Sequence, residues 1–314
     1  MTSPARARLI AIGVVVGLGA VAVAYTASGG TTSASAESAT TPTTAATAPP
    51  PRPILPDGTR SILPEHRVLV HYGAPQARGL GILGIGTPTV AGRRLVRHAR
   101  QYQAKLTRPV LPAMELIAVI ASAGPGADGR YRYRQTDATI GRYLKAARAA
   151  NAILILDIQP GRSDFVTEAK ALERWLKQPD VSLAIDPEWR MGASQVPGKV
   201  IGRVDAVEVN RVSAYLAAIA RANDLPDKLL IVHQFTDGMI GRRSRLQNRG
   251  RVDLVLNADG FGTAEAKRAT YRRVTAGRTA GHVGFKLFYE EDTGLMTPTE
   301  VLNLRPRPDI IMYE

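Results

Sequence analysis

Apolar residues fall along this chain in short runs rich in Val, Ile and Leu. Longer stretches separate them, with apolar positions recurring every three to four residues. The short runs are nearly continuous rather than alternating, which marks strands covered on both faces, as parallel strands are. They predict strands at Arg67–Tyr72, Glu115–Ala121, Ala152–Gln159, Val181–Asp186, Lys228–Gln234, Val252–Asn257, His282–Phe288 and Asp309–Tyr313. The amphipathic stretches predict helices at Val90–Lys105, Thr136–Ala150, Asp164–Lys177, Val204–Ala222, Thr263–Thr275 and Pro298–Leu304, with a shorter, weaker one at Asp237–Asn248. Strand–helix alternation without consecutive hairpins means βαβ units. Eight of them in roughly 250 residues is the size of a single α/β (β/α)8 barrel of the TIM type. An open doubly wound sheet expects a Gly-rich phosphate turn after its first strand. Here that segment reads Gly73-Ala74-Pro75-Gln76-Ala77-Arg78-Gly79, with its glycines loosely spaced and Pro75 in the way.

The pattern differs before residue 61. Arg6 and Arg8 precede an unbroken apolar run, Leu9–Ala24, and Ala34-Ser35-Ala36 offers a small-residue cleavage site. Residues 1–27 therefore read as a signal peptide or an uncleaved transmembrane signal anchor. Residues 28–60, dominated by Thr, Ser, Ala and Pro, cannot bury enough apolar surface to offset ordering and read as a disordered linker. The barrel domain is thus expected over 61–314, exported, secreted or attached to the cell envelope, and monomeric.

Charge sharpens this. Lys and Arg number 41 against 27 Asp and Glu, a formal net charge of +14. Such a surplus first suggests nucleic acid. Aromatics are only 5%, however, and no basic arm or helix stands out, so the charge reads as diffuse and suited to loose attachment to anionic envelope material. Export weighs against nucleic acid and against cytosolic cofactors, and no cofactor is expected. The absence of cysteine excludes disulfides, thiolate metal sites and a Cys nucleophile.

The active site of such a barrel lies at the carboxyl ends of its strands. Those ends here are polar: His71 and Tyr72, Asp157 and Gln159, Asp186 to Trp189, His233 and Gln234, Asp259, then Lys286 and Tyr289. Ionisable residues inside apolar runs are costly to bury singly, so their gathering at one end implies a joint purpose. The sharpest element is Asp186-Pro187-Glu188. In an extended segment, residues two apart share a side, so both carboxylates would face the mouth. Side by side they cannot both ionise freely, and one acquires the raised pKa a general acid needs. Trp189 adds an apolar wall and a face on which a sugar can stack. Asp157 belongs beside Asp186 on the neighbouring strand, and Asp259 across the barrel offers a carboxylate to the opposite face of a substrate. The catalytic candidates are therefore Glu188, Asp186, Asp157 and Asp259. Candidates for substrate binding are His71, Tyr72, Gln159, Trp189, His233, Gln234, Lys286 and Tyr289. The plain structural alternative makes Glu188 an ion-pair partner of Lys286 or Arg190. No H-x-x-x-H or H-E-x-x-H spacing supports a metal, and none is expected.

Asp186-x-Glu188 at the end of the fourth strand resembles the D-x-E element of chitinase-like and lysozyme-like glycoside hydrolases, families 18 and 25. The resemblance implies Glu188 as general acid/base, with Asp186 orienting the substrate's N-acetyl group or stabilising developing charge. The chitinase-like pattern carries further acidic residues, D-x-x-D-x-D-x-E, which Gln178 to Ala184 lack. Over 68–314 the chain also resembles a group of exported bacterial barrel proteins through Asp186-Pro187-Glu188-Trp189, Val232-His233-Gln234-Phe235 and Gly284-Phe285-Lys286-Leu287-Phe288, without an activity to carry over. The expected function is an exported glycoside hydrolase acting on cell-wall or extracellular polysaccharide. Two alternatives stand beside it. One is a barrel that binds wall glycan without chemistry. The other is a metal-dependent phosphoester hydrolase using His71, Asp157, Asp186, Glu188, His233 and Asp259.

Overall fold

The computed structural model describes residues 51–277 and 281–314. The signal or anchor segment and most of the expected linker lie outside the described residues. Among the described residues no helix is long and apolar enough to cross a membrane.

Eight parallel strands close into a barrel: β1 Arg67–Gly73, β2 Val110–Ala121, β3 Ile153–Ile158, β4 Val181–Ile185, β5 Lys228–Gln234, β6 Val252–Ala258, β7 His282–Leu287 and β8 Ile310–Tyr313. Each pairs with the next in sequence, and β1 closes the ring by pairing with both β2 and β8. The helices are α1 Pro88–Gln103, α2 Asp137–Ala149, α3 Phe165–Ala171, α4 Glu173–Leu176, α5 Ala206–Ala222, α6 Ala264–Thr275 and α7 Pro298–Leu302. This is the (β/α)8 barrel that the pattern of runs predicts. Side-chain N-caps at Thr87, Thr136, Asp164, Asp205, Thr263 and Thr297 start six of the seven helices, each satisfying a backbone N–H left open by the first turn.

Alternation along the strands sorts side chains between two cores. Inward-facing Val68, Val70, Leu111, Ala113, Ile153, Ile155, Leu229, Ile231, Val255, Ile310 and Met312 fill the barrel, and Leu55, Ile62 and Leu63 pack with them. Leu55 lies within the stretch read as spacer, so packed residues begin there. Outward-facing residues such as Leu69, Leu156, Val232 and Phe285 pack against the helices.

Three local differences from the expected elements have physical causes. The helix expected at Asp237–Asn248 is replaced by two 3-10 turns, Asp237–Met239 and Arg243–Arg245, around a two-residue strand that pairs with Val204–Asp205. Gly238 and Gly241 disfavour a helix there. That pairing, with the Asp205 cap, also delays α5 to Ala206. Strand β2 begins at Val110 and runs through Pro112, and it carries an irregularity between Ile117 and Val119. Beyond it the short strand Arg132–Arg134 folds back antiparallel on the rim of β2. Arg132 and Arg134 hold that strand by ion-pairing with the buried Glu168 of α3.

Candidate active site

Asp186 follows the last residue of β4, and Pro187–Trp189 forms a 3-10 turn rather than the extended segment the sequence suggested. The Glu188 carbonyl accepts from the Gly202 N–H at 2.6 Å, which ties the turn down. Asp186 and Glu188 nonetheless reach one cavity of about 160 Å³, together with Tyr72, Ile117, Gln159, Trp189, Phe261, Lys286 and Phe288. Glu291 and Glu314 complete the acidic side of its wall.

Beneath this cavity the interior is ionic. His233 lies between two carboxylates, its Nε2 2.9 Å from Glu115 and its Nδ1 3.2 Å from Asp259. Burial pulls this imidazole down, but hydrogen bonds to Asp259 and Glu115 outweigh it and hold His233 well above the usual histidine range. Lys286 reaches Glu314 at 2.6 Å and Asp259 at 3.4 Å, with its ammonium 3.6 Å from the centre of the Tyr72 ring. That is close enough for a cation–π contact. The Tyr72 hydroxyl donates to Asp157 at 3.1 Å and accepts from Gln159 at 3.2 Å. Room for Asn257 beside His233 comes from Gly284 on β7: a Cβ there would stand 2.2 Å from the Asn257 Oδ1.

Carboxyls outnumber cations in this assembly. Glu115, Asp157, Asp186, Glu188, Asp259 and Glu314 gather around two cations, His233 and Lys286. Burial resolves the imbalance by keeping protons on. Asp157 is pushed up to about 7, first by burial and then by Glu115, against the pull of His233 and Lys286. Asp186 is driven well above the carboxylate range by burial, with the Glu188 charge adding to it. Glu115 Oε2, Asp157 Oδ1 and Asp186 Oδ1 are buried without a hydrogen-bond partner.

The sequence-derived candidates thus separate into groups. Asp186, Glu188, Trp189, Tyr72, Gln159 and Lys286 line the cavity. Asp157, Asp259 and His233 lie below it and act on one another and on Tyr72 and Lys286. Asp259 pairs with His233 and Lys286 instead of facing a substrate from across the barrel. Lys286 pairs with Asp259 and Glu314, and Arg190 pairs with Glu208. His71 does not reach the mouth: its neighbours Val70 and Tyr72 face inward, so it faces α1, 3.1 Å from His98. Gln234 likewise has the opposite face to His233 and bonds the Thr236 carbonyl. Tyr289 lines a smaller side cavity with Arg78, Ile82 and Ile85.

Glu115 is the residue of this ionic interior that the sequence analysis did not single out. Its signal was a lone acid at an inward position of an apolar strand, in step with Ala113 and Ile117. Glu115, Asp157 and His233 place ligand-capable atoms within 4.8 Å of one another. Both His233 nitrogens are already engaged by carboxylates, which fits an imidazolium better than a metal ligand. With His71 turned outward, the six-residue metal set also does not assemble.

The fold and this interior define a (β/α)8 barrel with a carboxyl-rich mouth. No protein-family model matches the chain, and no curated protein matches it.

Proposed function

We propose that the protein is an exported glycoside hydrolase that uses the Asp186–Glu188 pair to cleave cell-wall or extracellular polysaccharide. The observation that carries this reading is the pairing of Asp186, kept neutral by burial and by its neighbour's charge, with Glu188 on one aromatic-walled cavity. A neutral carboxyl can donate a hydrogen bond to a sugar oxygen, as an ionised one cannot. The proton that burial keeps on this pair moves from Asp186 to Glu188, nearer the opening, which gives it to the leaving oxygen as the glycosidic C–O bond breaks. The oxygen of a water then joins the anomeric carbon, and the water's proton returns to Glu188. Trp189, on the cavity wall, offers a ring face to the apolar side of a pyranose. The cavity is smaller than the roughly 300–1,000 Å³ of drug-sized sites, which suits one sugar residue at a time. These roles agree with the D-x-E resemblance.

The test is release of reducing ends from isolated wall glycan by the full chain and by Glu188→Gln. The substitution is expected to lower turnover by about 10²–10⁴, the usual share of general acid–base catalysis. Tm should hold or rise, because a like charge beside Asp186 is gone. An early-melting variant that still cleaves would sink the catalytic assignment. Binding of the same glycan without any release by the natural chain would replace it with the non-catalytic barrel.

A further inference from the structure

Folding gathers a part of the positive charge that reads as diffuse along the sequence. Helix α1 carries Arg93, Arg94, Arg97 and Arg100 and no acidic residue. Arg94 is used internally, donating to the Ile82 and Ile85 carbonyls. Arg93, Arg97 and Arg100 are exposed, and among the described residues their side chains form no hydrogen bond or ion pair. Spaced at i, i+4 and i+7, they make one stripe about 10 Å long on the helix. That stripe borders a groove of about 350 Å³ between α1 and α2, whose other walls are Thr89, Gly92, Val96, Ala146, Ala149 and Ala150. Small side chains keep it open, and Lys145 of α2 adds another exposed cation without a partner. The one acid of α2, Asp137, is already held by Arg174 and Trp175.

We propose that the α1–α2 groove binds a linear polyol-phosphate polymer, with Arg93, Arg97 and Arg100 each taking a phosphodiester. Three features select this occupant. Unpaired guanidiniums favour phosphate, whose oxygens they meet with two parallel N–H donors. A concave channel floored by Gly and Ala admits a thin chain, whereas a membrane surface calls for large apolar side chains to insert, and none lines this groove. No aromatic ring lines it either, so a nucleic-acid strand would find nothing on which to stack its bases. This site is independent of the barrel mouth and of the reaction proposed there.

Titration calorimetry of the full chain with poly(glycerol phosphate) tests the proposal at several salt concentrations. The Arg93→Gln/Arg97→Gln/Arg100→Gln variant is compared with a charge-matched control, Lys170→Gln/Lys199→Gln/Arg211→Gln, altered at exposed cations elsewhere. On a flexible polyanion each phosphate contact contributes ~0.7 to the slope of log K against log salt, so losing three should flatten it by about 2. Affinity at low salt should fall tenfold or more for the groove variant and little for the control, with unchanged melting in both. Equal weakening in the two variants would overturn the groove as the site. Absence of binding by the natural chain would overturn the polymer, as would tighter groove-dependent binding of anionic vesicles or of a single-stranded oligonucleotide.

Discussion

The two ends of the barrel handle buried charge in opposite ways. At the base, where the strands begin, charged groups are matched. Asp180 accepts two bonds from Arg148, at 2.7 and 2.8 Å, and Asp309 is held by Arg108 and His282. Lys228 gives its protons to the carbonyls of Gln178, Pro179 and Val181. Asp309 accordingly stays below the usual carboxylate range: burial would raise it, but His282 and Arg108 prevail. Two groups depart from this: the inward Asp253 is pushed up to about 6 chiefly by burial, and Arg67, with Nε and Nη1 buried without a hydrogen-bond partner, is pushed down to about 10 by burial and by Arg108. Toward the mouth, carboxyls face one another, and oxygens of Glu115, Asp157 and Asp186 lack partners. Matched charge holds a fold together. Unmatched charge costs stability and is retained where chemistry uses it.

This contrast can be broken by experiment. The largest effect is expected from His233→Gln, which strips the cation from between Glu115 and Asp259. Breaking a buried pair in this way costs about 3–5 kcal/mol, a fall in Tm on the order of 10 °C. A fall of only a degree or two would show that His233 is not the cation balancing the interior. At the base, Lys228→Met should cost about 1–3 kcal/mol through three carbonyls left unsatisfied. Denaturant unfolding measures this, and a gain in stability would make the base as strained as the mouth.

The smallest effect is the pH dependence. Asp157 titrates near 7 in the folded chain, above its ordinary value of 3.8, so folding favours its protonated form. Its contribution is full below about pH 4 and is lost as pH rises through 7. The raised His233 works in the same direction, its contribution fading as pH climbs above the ordinary imidazole range. The lowered Asp309 works in the opposite one, with its contribution lost only in acid below that window. The lowered His71, His98 and Lys228 act against Asp157 and His233 in this window, so the expected outcome is the difference between two chains: Asp157→Asn should lose less Tm, or gain more, between pH 5 and 8 than the natural chain. An unchanged slope in that variant would place the titration elsewhere.

The strands were legible because a residue buried on both faces of a sheet has little choice but to be apolar. The start of β2 was less so: Pro112 reads as a breaker, yet it sits in the strand. The candidate site was legible as an end of the barrel and as Asp186 and Glu188. It was not legible as a network. Which residue faces inward depends on strand phase, and ignoring phase placed His71 and Gln234 at the mouth. Glu115 is hard to read from sequence because it lies deep in β2, away from the polar strand end. Its partner His233 is 118 residues away in sequence, and only barrel closure brings the two together.

The irregularity in β2 has a consequence of its own. Leu111, Ala113, Glu115 and Ile117 follow a strict two-residue beat toward the interior, but both Ala118 and Val119 turn to the helices before Ile120 faces in again. One unpaired residue shifts the beat by a half-cycle. The rim of β2, with the short strand Arg132–Arg134 that it carries, is thereby uncoupled from the frame that aims Glu115. The lip of this barrel can be rewritten, lengthened or exchanged while the ionic floor keeps its aim.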